Sequence, residues 1–128
     1  MKTIRQSILI DATPKELYEA ILDPKMHTKF TGAKATGSME VGGKFTAYDG
    51  YISGVNLELE ENKKIVQQWT STDFPKDHMT EVVFEFLPQE HGTKIVFTQK
   101  NVPEENYKEI AQGWRDYYWT PLKAWFGQ

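Results

Sequence analysis

The three histidines are the first candidates for chemistry, because an imidazole can act as a general base or as a metal ligand. His27 falls in a predicted helix, whereas His78 and His91 fall in predicted loops. No His-x-x-x-His or Glu-linked spacing aims two of them at one ion. We therefore predict structural or surface roles for all three, and no metal site.

The sequence also lacks the residue arrangements that nucleophilic and acid–base catalysis require. The chain has no cysteine, no Gly-x-Ser-x-Gly elbow and no serine with an evident histidine partner. Glu81 and Glu85 share the polar face of one predicted strand, which keeps both carboxylates solvated. Glu104 and Glu105 lie in the first turn of a predicted helix, where the helix dipole favours negative charge. We predict a protein that is not an enzyme and needs no cofactor.

Aromatic residues carry the most information about a binding site. Six of them are predicted to point between a sheet and the last helix: Phe45, Trp69, Phe84, Phe97, Trp114 and Tyr118. Gln67, Gln99 and the Tyr118 hydroxyl are predicted nearby, and an apolar cavity with a few polar groups is typical of a small-molecule site. The same rings could instead interlock as an ordinary core. Both interpretations stay open at this point.

Two segments place large apolar side chains at positions predicted to be exposed. They are Phe74, in the loop 73–76, and the pair Trp125 and Phe126 near the C-terminus. Exposed apolar anchors are typical of protein interfaces, so these residues are candidates for a partner surface. The alternative is that Trp125 and Phe126 pack under the first strand.

Composition limits the classes of partner. The 128 residues fit one domain, to which we assign residues 1–128, and 39% apolar residues are enough to fill a core. A net charge of -3 argues against nucleic acid, because phosphate binding needs a basic face. No apolar run exceeds three residues, so we expect no membrane-spanning helix and a cytoplasmic protein.

The elements that must position these side chains begin with a strand and two helices. Alternating apolar residues predict a strand over 3–10. The segment 13–16, Thr-Pro-Lys-Glu, combines a hydroxyl N-cap, an early proline and a glutamate three residues after the cap, which predicts a helix start. Asp23 and Pro24 break that helix, and Pro24 opens a second short helix through Phe30.

The rest of the chain alternates as strands and then changes to a helical period. Strands are predicted over 44–48, 51–59, 65–70, 82–86 and 93–99, with a hairpin turn at Asp49 and Gly50. From Pro103 onward the apolar residues recur at steps of three and four, which predicts a long helix with a kink or an earlier end at Pro121. The order indicates an α+β fold: a curved antiparallel sheet of about six strands after the first, two short helices after strand one, and a long C-terminal helix.

Four segments together resemble one known family. They are DATPKELYEAILDPKMHTKFTGAKA, GGKFTAYDGYISGVNLELEENKKIVQQW, GTKIVFTQKNVP and GWRDYYWTPLKAWFG. Their order and spacing are similar to the C-terminal domain of the activator of the heat-shock protein 90 ATPase. The matching positions are Gly42, Gly43, Phe45, Gly50, Gly54, Trp69, Gly92, Thr93, Gly113 and Trp114.

This resemblance implies the helix-grip fold of the START-related superfamily, whose members commonly bind hydrophobic molecules between the sheet and the last helix. The matched positions are fold signatures, and no catalytic residue is carried over with them. Full-length activators add an N-terminal domain that binds the chaperone, and we expect this chain to have neither that domain nor its linker.

Two functions from different classes follow. The leading hypothesis is a co-chaperone-like binding domain whose partner is heat-shock protein 90. The alternative is a carrier or sensor that holds a small hydrophobic ligand in the cavity between sheet and helix. A weaker third option, a cyclase- or hydrolase-like enzyme, would need a buried titratable group that the sequence does not nominate. The ligand's identity and the oligomeric state stay open.

Overall fold

The chain folds as one antiparallel sheet with helices packed against one face, in a computed structural model that describes residues 1–127. The strands are β1 (Lys2–Ile10), β2 (Thr36–Gly37), β3 (Lys44–Ala47), β4 (Ile52–Glu60), β5 (Lys64–Ser71), β6 (Thr80–Gln89) and β7 (Gly92–Val102). The α-helices are α1 (Pro14–Leu22), α2 (Pro24–Thr31), α3 (Tyr107–Trp114) and α4 (Thr120–Phe126). A π-helical turn, Arg115–Trp119, joins α3 to α4 without a break.

The sheet order is β1-β7-β6-β5-β4-β3-β2, and every neighbouring pair is antiparallel. From β2 to β7 each strand pairs with the next one along the chain, because short turns connect them. The first strand instead pairs with the last. The prediction of a curved antiparallel sheet with two short helices and a long C-terminal helix is confirmed.

The corner between α1 and α2 forms as its local sequence dictates. The Thr13 hydroxyl accepts from the Glu16 backbone amide, and the Glu16 carboxylate accepts from the Thr13 amide, which completes a capping box. Asp23 ends α1 and caps α2 by accepting from the Lys25 amide at 2.9 Å. The second helix reaches Thr31, one residue past the predicted end.

Of the two outcomes predicted at Pro121, the earlier end of the helix is wrong, and the kink stays a prediction. Helical geometry does not end at this proline but runs on to Phe126, and the irregularity is the π-helical turn just before it. Proline has no amide hydrogen, so the Tyr117 carbonyl four residues earlier lacks its helical donor. The Tyr48 hydroxyl donates to that carbonyl instead. A side chain from the turn after β3 thus completes the helix.

The hairpin turn falls where Asp49 and Gly50 predict it. Tyr48, Asp49 and Gly50 have φ angles of 49°, 59° and 92°, so three successive residues adopt the left-handed region. The turn also takes one residue from each predicted strand, because β3 ends at Ala47 and β4 begins at Ile52. It points Tyr48 and Tyr51 toward the terminal helix and the loop after β5, respectively.

The core lies between the sheet and the helices. Ile4, Ile10, Leu17, Phe84 and Leu122 are among its fully buried side chains and come from four different elements. None of the helices within residues 1–127 is both long enough and apolar enough to cross a membrane.

Candidate functional site

Five of the six aromatic residues predicted to surround a cavity contact one another and form one cluster. Trp114 lies at its centre, with ring centroids 4.2 Å from Phe97, 4.6 Å from Tyr118 and 5.3 Å from Trp69. Phe84 contacts both Phe97 and Trp114, at 5.2 Å and 5.8 Å. Tilted and edge-on pairs at these distances are favourable ring contacts. The rings therefore interlock in the space where the cavity was expected.

Trp119 completes this cluster, and the sequence reasoning missed it. Its ring lies 5.7 Å from Trp114 and 5.4 Å from Phe97. Its indole Nε1 donates to the Gln6 side chain at 2.6 Å, and Gln6 donates in turn to the Ala111 carbonyl. The π-helical turn brings Tyr118 and Trp119 to the core side and leaves Tyr117 58% exposed.

Gln99 is one of the two amides predicted to direct a ligand, and its polar atoms bind other parts of the protein. Its Oε1 accepts from Trp114 Nε1 at 2.7 Å, and its Nε2 donates to the Thr80 hydroxyl at 2.9 Å. That hydroxyl donates to the Trp69 carbonyl. A fully buried amide with both ends bonded orients the tryptophan.

Gln67, the other amide, lies in a second polar network next to a small cavity. Its Nε2 donates to the Asn56 Oδ1 at 3.0 Å, and Asn56 donates to the backbone carbonyls of Ser38 and Glu40. The cavity, of about 20 Å³, is lined by Gln67, Asn56, His27 and Phe45 among others. That volume accommodates about one water molecule.

His27, for which the sequence predicts a structural or surface role, is a buried titratable group. Its Nε2 lies 3.1 Å from the Tyr118 hydroxyl, and its ring packs edge-on against the Tyr118 ring. Burial lowers the pKa of His27 to about 4, and burial raises the pKa of Tyr118. The pair is therefore neutral at physiological pH. Its Nδ1 is buried and has no hydrogen-bond partner within the described chain.

Of the eight residues predicted to line one ligand cavity, six lie in or beside the aromatic cluster, whereas Gln67 and Phe45 line the separate small cavity. Phe45 is half-buried, with its ring over Gly54, and the other seven, Gln67, Trp69, Phe84, Phe97, Gln99, Trp114 and Tyr118, are buried. The expected gap between sheet and helix is filled by the protein's own rings. As ligand contacts these residues stay a prediction.

The predicted partner surface needs two corrections. Phe74 is only 7% exposed, because its ring packs 5.9 Å from the Trp69 ring and closes one end of the aromatic cluster. Phe126 is half-buried and packs against the core. Trp125 is 44% exposed, as predicted. The alternative, in which both residues of the pair pack under the first strand, is wrong for Trp125, whereas Phe126 does pack inward against the core.

A groove not predicted from the sequence runs along the outside of the terminal helix. We call it the helix groove; it has a volume of about 500 Å³, and its walls include Tyr51, Asp73, Glu109, Ile110, Asp116 and Tyr117. The seven-residue spacing of Glu109 and Asp116 places both on one helix face, a signal that the sequence does contain. Their facing partners, Tyr51 and Asp73, come from distant segments and could not be read locally.

Sequence comparison finds relatives that match nearly the whole chain. The family described as Activator of Hsp90 ATPase homolog 1-like protein matches residues 11–127. The Activator of 90 kDa heat shock protein ATPase homolog 1 of Homo sapiens is 30% identical over 125 residues, which are 98% of this chain and 36% of that protein. Homolog 2 of Mus musculus is 36% identical over 119 residues, which are 91% of this chain and 35% of that protein. The chain therefore spans little more than a third of the length of these relatives.

Solved structures agree with the sequence comparison. An HSP90 activator from Plasmodium falciparum matches with a TM-score of 0.90 and 25% identity, covering 99% of this chain and 97% of that one. The Aha1 dimer from Colwellia psychrerythraea, solved in solution, matches with a TM-score of 0.81 and 22% identity over 97% of this chain and 96% of that one. These likenesses confirm the helix-grip fold.

Proposed function

The chain belongs to the family of Activator of Hsp90 ATPase homolog 1-like proteins, and we propose that it is a co-chaperone-like domain that binds a heat-shock protein 90 chaperone. The observation that carries the proposal is a family match over residues 11–127, together with a close structural match to an HSP90 activator over nearly the full length of both chains. Binding to one conformation of the chaperone would shift its population toward that conformation.

The buried polar groups favour a protein that binds a partner at its surface over one that carries out chemistry in its interior. The buried polar side chains of Gln99, Thr80 and Asn56 form hydrogen bonds with other groups of the protein itself. The buried pair His27 and Tyr118 is neutral, and the cavity that His27 lines is water-sized. Recognition of a partner therefore falls to exposed side chains, as in other protein interfaces.

The proposal is limited to binding and to the conformational bias that binding produces. The curated relatives are almost three times as long as the matched segment, and the proposal for this chain therefore concerns binding and not stimulation of the ATPase. Isothermal titration calorimetry with the chaperone from the same organism tests the binding. We expect a Kd in the micromolar range, and no heat at high micromolar concentration would overturn the proposal.

Trp125 is the predicted partner contact that stays on the surface. Exposed tryptophan is a frequent binding hot spot, because it buries a large area with little loss of side-chain freedom. We expect Trp125→Ala to weaken chaperone binding by about tenfold while the melting temperature changes little. Leu87→Ala removes a comparably exposed apolar side chain from β6 and serves as the matched control. Equal affinities for the two variants would remove Trp125 from the interface.

A further inference from the structure

The helix groove combines an apolar floor with aromatic walls. Ile110 and Gly113 form part of its floor, and the exposed rings of Tyr51 and Tyr117 stand at its sides. Tyr117 is 58% exposed and Tyr51 42% exposed, a large apolar area for side chains that face the same groove. A groove of about 500 Å³ is large enough to take several side chains of a partner.

Hydrogen bonds hold both aromatic walls in place. The Tyr51 hydroxyl donates to the Asp73 carboxylate, which belongs to the loop after β5. The Tyr117 backbone is bound by the Tyr48 hydroxyl, and the Tyr48 ring packs edge-on against the Tyr117 ring at 5.6 Å. Walls that are fixed before binding lose less conformational freedom when a partner docks.

The charge around the groove is predominantly negative. Asp73, Glu109 and Asp116 carry carboxylates at its edge, against the single ammonium of Lys108, and all four residues are exposed. Within residues 1–127 none of the three carboxylates forms a salt bridge. Asp116 instead accepts from the Gln112 side chain at 2.9 Å. The groove therefore offers unpaired negative charge beside exposed aromatic faces.

We infer that the helix groove docks a segment of the partner protein in which lysine or arginine alternates with apolar residues. A cation on the segment would meet the carboxylates of Glu109 and Asp116 and the faces of the tyrosine rings, which attract cations. Its apolar neighbours would cover Ile110 and Gly113. This inference rests on the proposed function, because it assigns the chaperone's contact to this groove.

Removing two carboxylates together tests whether negative charge contributes to docking in the helix groove. The variant Glu109→Gln with Asp116→Asn removes two carboxylates from the groove. The control, Glu81→Gln with Glu85→Gln, removes two exposed carboxylates from β6 and changes the net charge equally. We expect the groove variant to weaken chaperone binding about fivefold at low salt and the control less than twofold. The difference should shrink in high salt, because salt screens exposed charges.

A steric variant tests the groove independently of charge. A Cβ atom at Gly113 would meet only the Tyr117 ring, at 3.8 Å, so a side chain there projects without a backbone clash. We expect Gly113→Leu to fill the floor and weaken binding about tenfold, whereas Gly113→Ala binds nearly as the parent does. Unchanged amide resonances outside the groove in a ¹H–¹⁵N spectrum would establish that both variants are folded.

A second probe separates failure of this inference from failure of the proposed function. The probe is a synthetic peptide of alternating leucine and lysine, compared with the same peptide acetylated at every lysine. If the chaperone binds and the groove variants behave as the β6 control does, the docking site is wrong and the proposed function stands.

If the chaperone does not bind, the peptide still decides whether the groove takes a basic segment. Binding of the lysine peptide that perturbs the Ile110 and Gly113 amides and is lost in the groove variants supports the site. No binding, or equal binding of the acetylated peptide, overturns it.

Discussion

At the scale of single residues, Gln99 in β7 joins the sheet to the terminal helix through its bond to Trp114, and its second bond reaches Thr80 in β6. Replacing it by leucine would leave the Trp114 Nε1 hydrogen buried without an acceptor. We expect Gln99→Leu to lower the free energy of unfolding by about 2 kcal/mol, the cost of one unpaired buried donor plus the lost bond to Thr80. Urea denaturation measures it, with the exposed Gln89→Leu as control. A loss no larger than in the control would contradict the structural role.

His27 makes stability depend on pH, again at the residue scale. The pKa of His27 is about 4 in the folded protein, below the ordinary value of 6.5 expected when the chain is unfolded. Between these values the unfolded state binds more protons, so the free energy of unfolding falls as the pH drops from 6.5 toward 4. The contribution of this one residue amounts to roughly 3 kcal/mol over the whole window.

The measurement compares urea denaturation at pH 7.5 and at about pH 5. His27→Gln should flatten the pH dependence, because glutamine takes up no proton, although it lowers stability at both pH values. His91→Gln, at an exposed position, should retain the parent's slope. If the free energy of unfolding of the His27→Gln variant fell with pH as steeply as that of the parent, the acid sensitivity would arise at another residue.

At the scale of elements, the terminal helix depends on a bond from outside it. The Tyr48 hydroxyl replaces the amide donor that Pro121 lacks, so Tyr48→Phe should cost about 1 kcal/mol of stability. Pro121→Ala restores an amide that can donate to the Tyr117 carbonyl, and in that background the cost of Tyr48→Phe should shrink. A double-mutant cycle by urea denaturation measures this coupling. Additive effects of the two changes would show that the proline does not create the need for Tyr48.

Elements with a strong local sequence pattern were predictable, and features that depend on how loops and helix turns pack against the core were not. The capping box at Thr13 and the alternation in β6 each lie within a few residues, so the sequence alone indicated them. Phe74 is buried because the loop after β5 folds its ring back onto Trp69 in β5, and a loop position gave no sign of it. Trp119 lies in the core beside Tyr118 because of the π-helical turn, which shifts the helical period that the prediction assumed.

At the scale of the whole molecule, the distinction between co-chaperone and carrier depends on how completely the sheet and the terminal helix fill the space between them. The sequence placed the right aromatic residues there but could not tell a filled core from a lined cavity. Both arrangements need the same residue types at the same positions. Their difference lies in side-chain packing, which only the three-dimensional arrangement of Trp114 and its neighbours determines.

An engineered cavity in the aromatic cluster can be compared with the parent protein to test whether the parent's core is filled. Phe84 is 1% exposed and its ring carries no polar atom, so Phe84→Ala should remove a buried ring, cost about 4 kcal/mol and leave an apolar cavity. Benzene should enter that cavity and raise the melting temperature of the variant, since an apolar ligand that binds only the folded state stabilises it. The parent protein, in which rings fill the aromatic cluster and the cavity near Gln67 is water-sized, should show no such rise. A benzene-dependent rise in the parent would mean that the aromatic cluster opens in solution, and it would favour the carrier over the surface-binding domain.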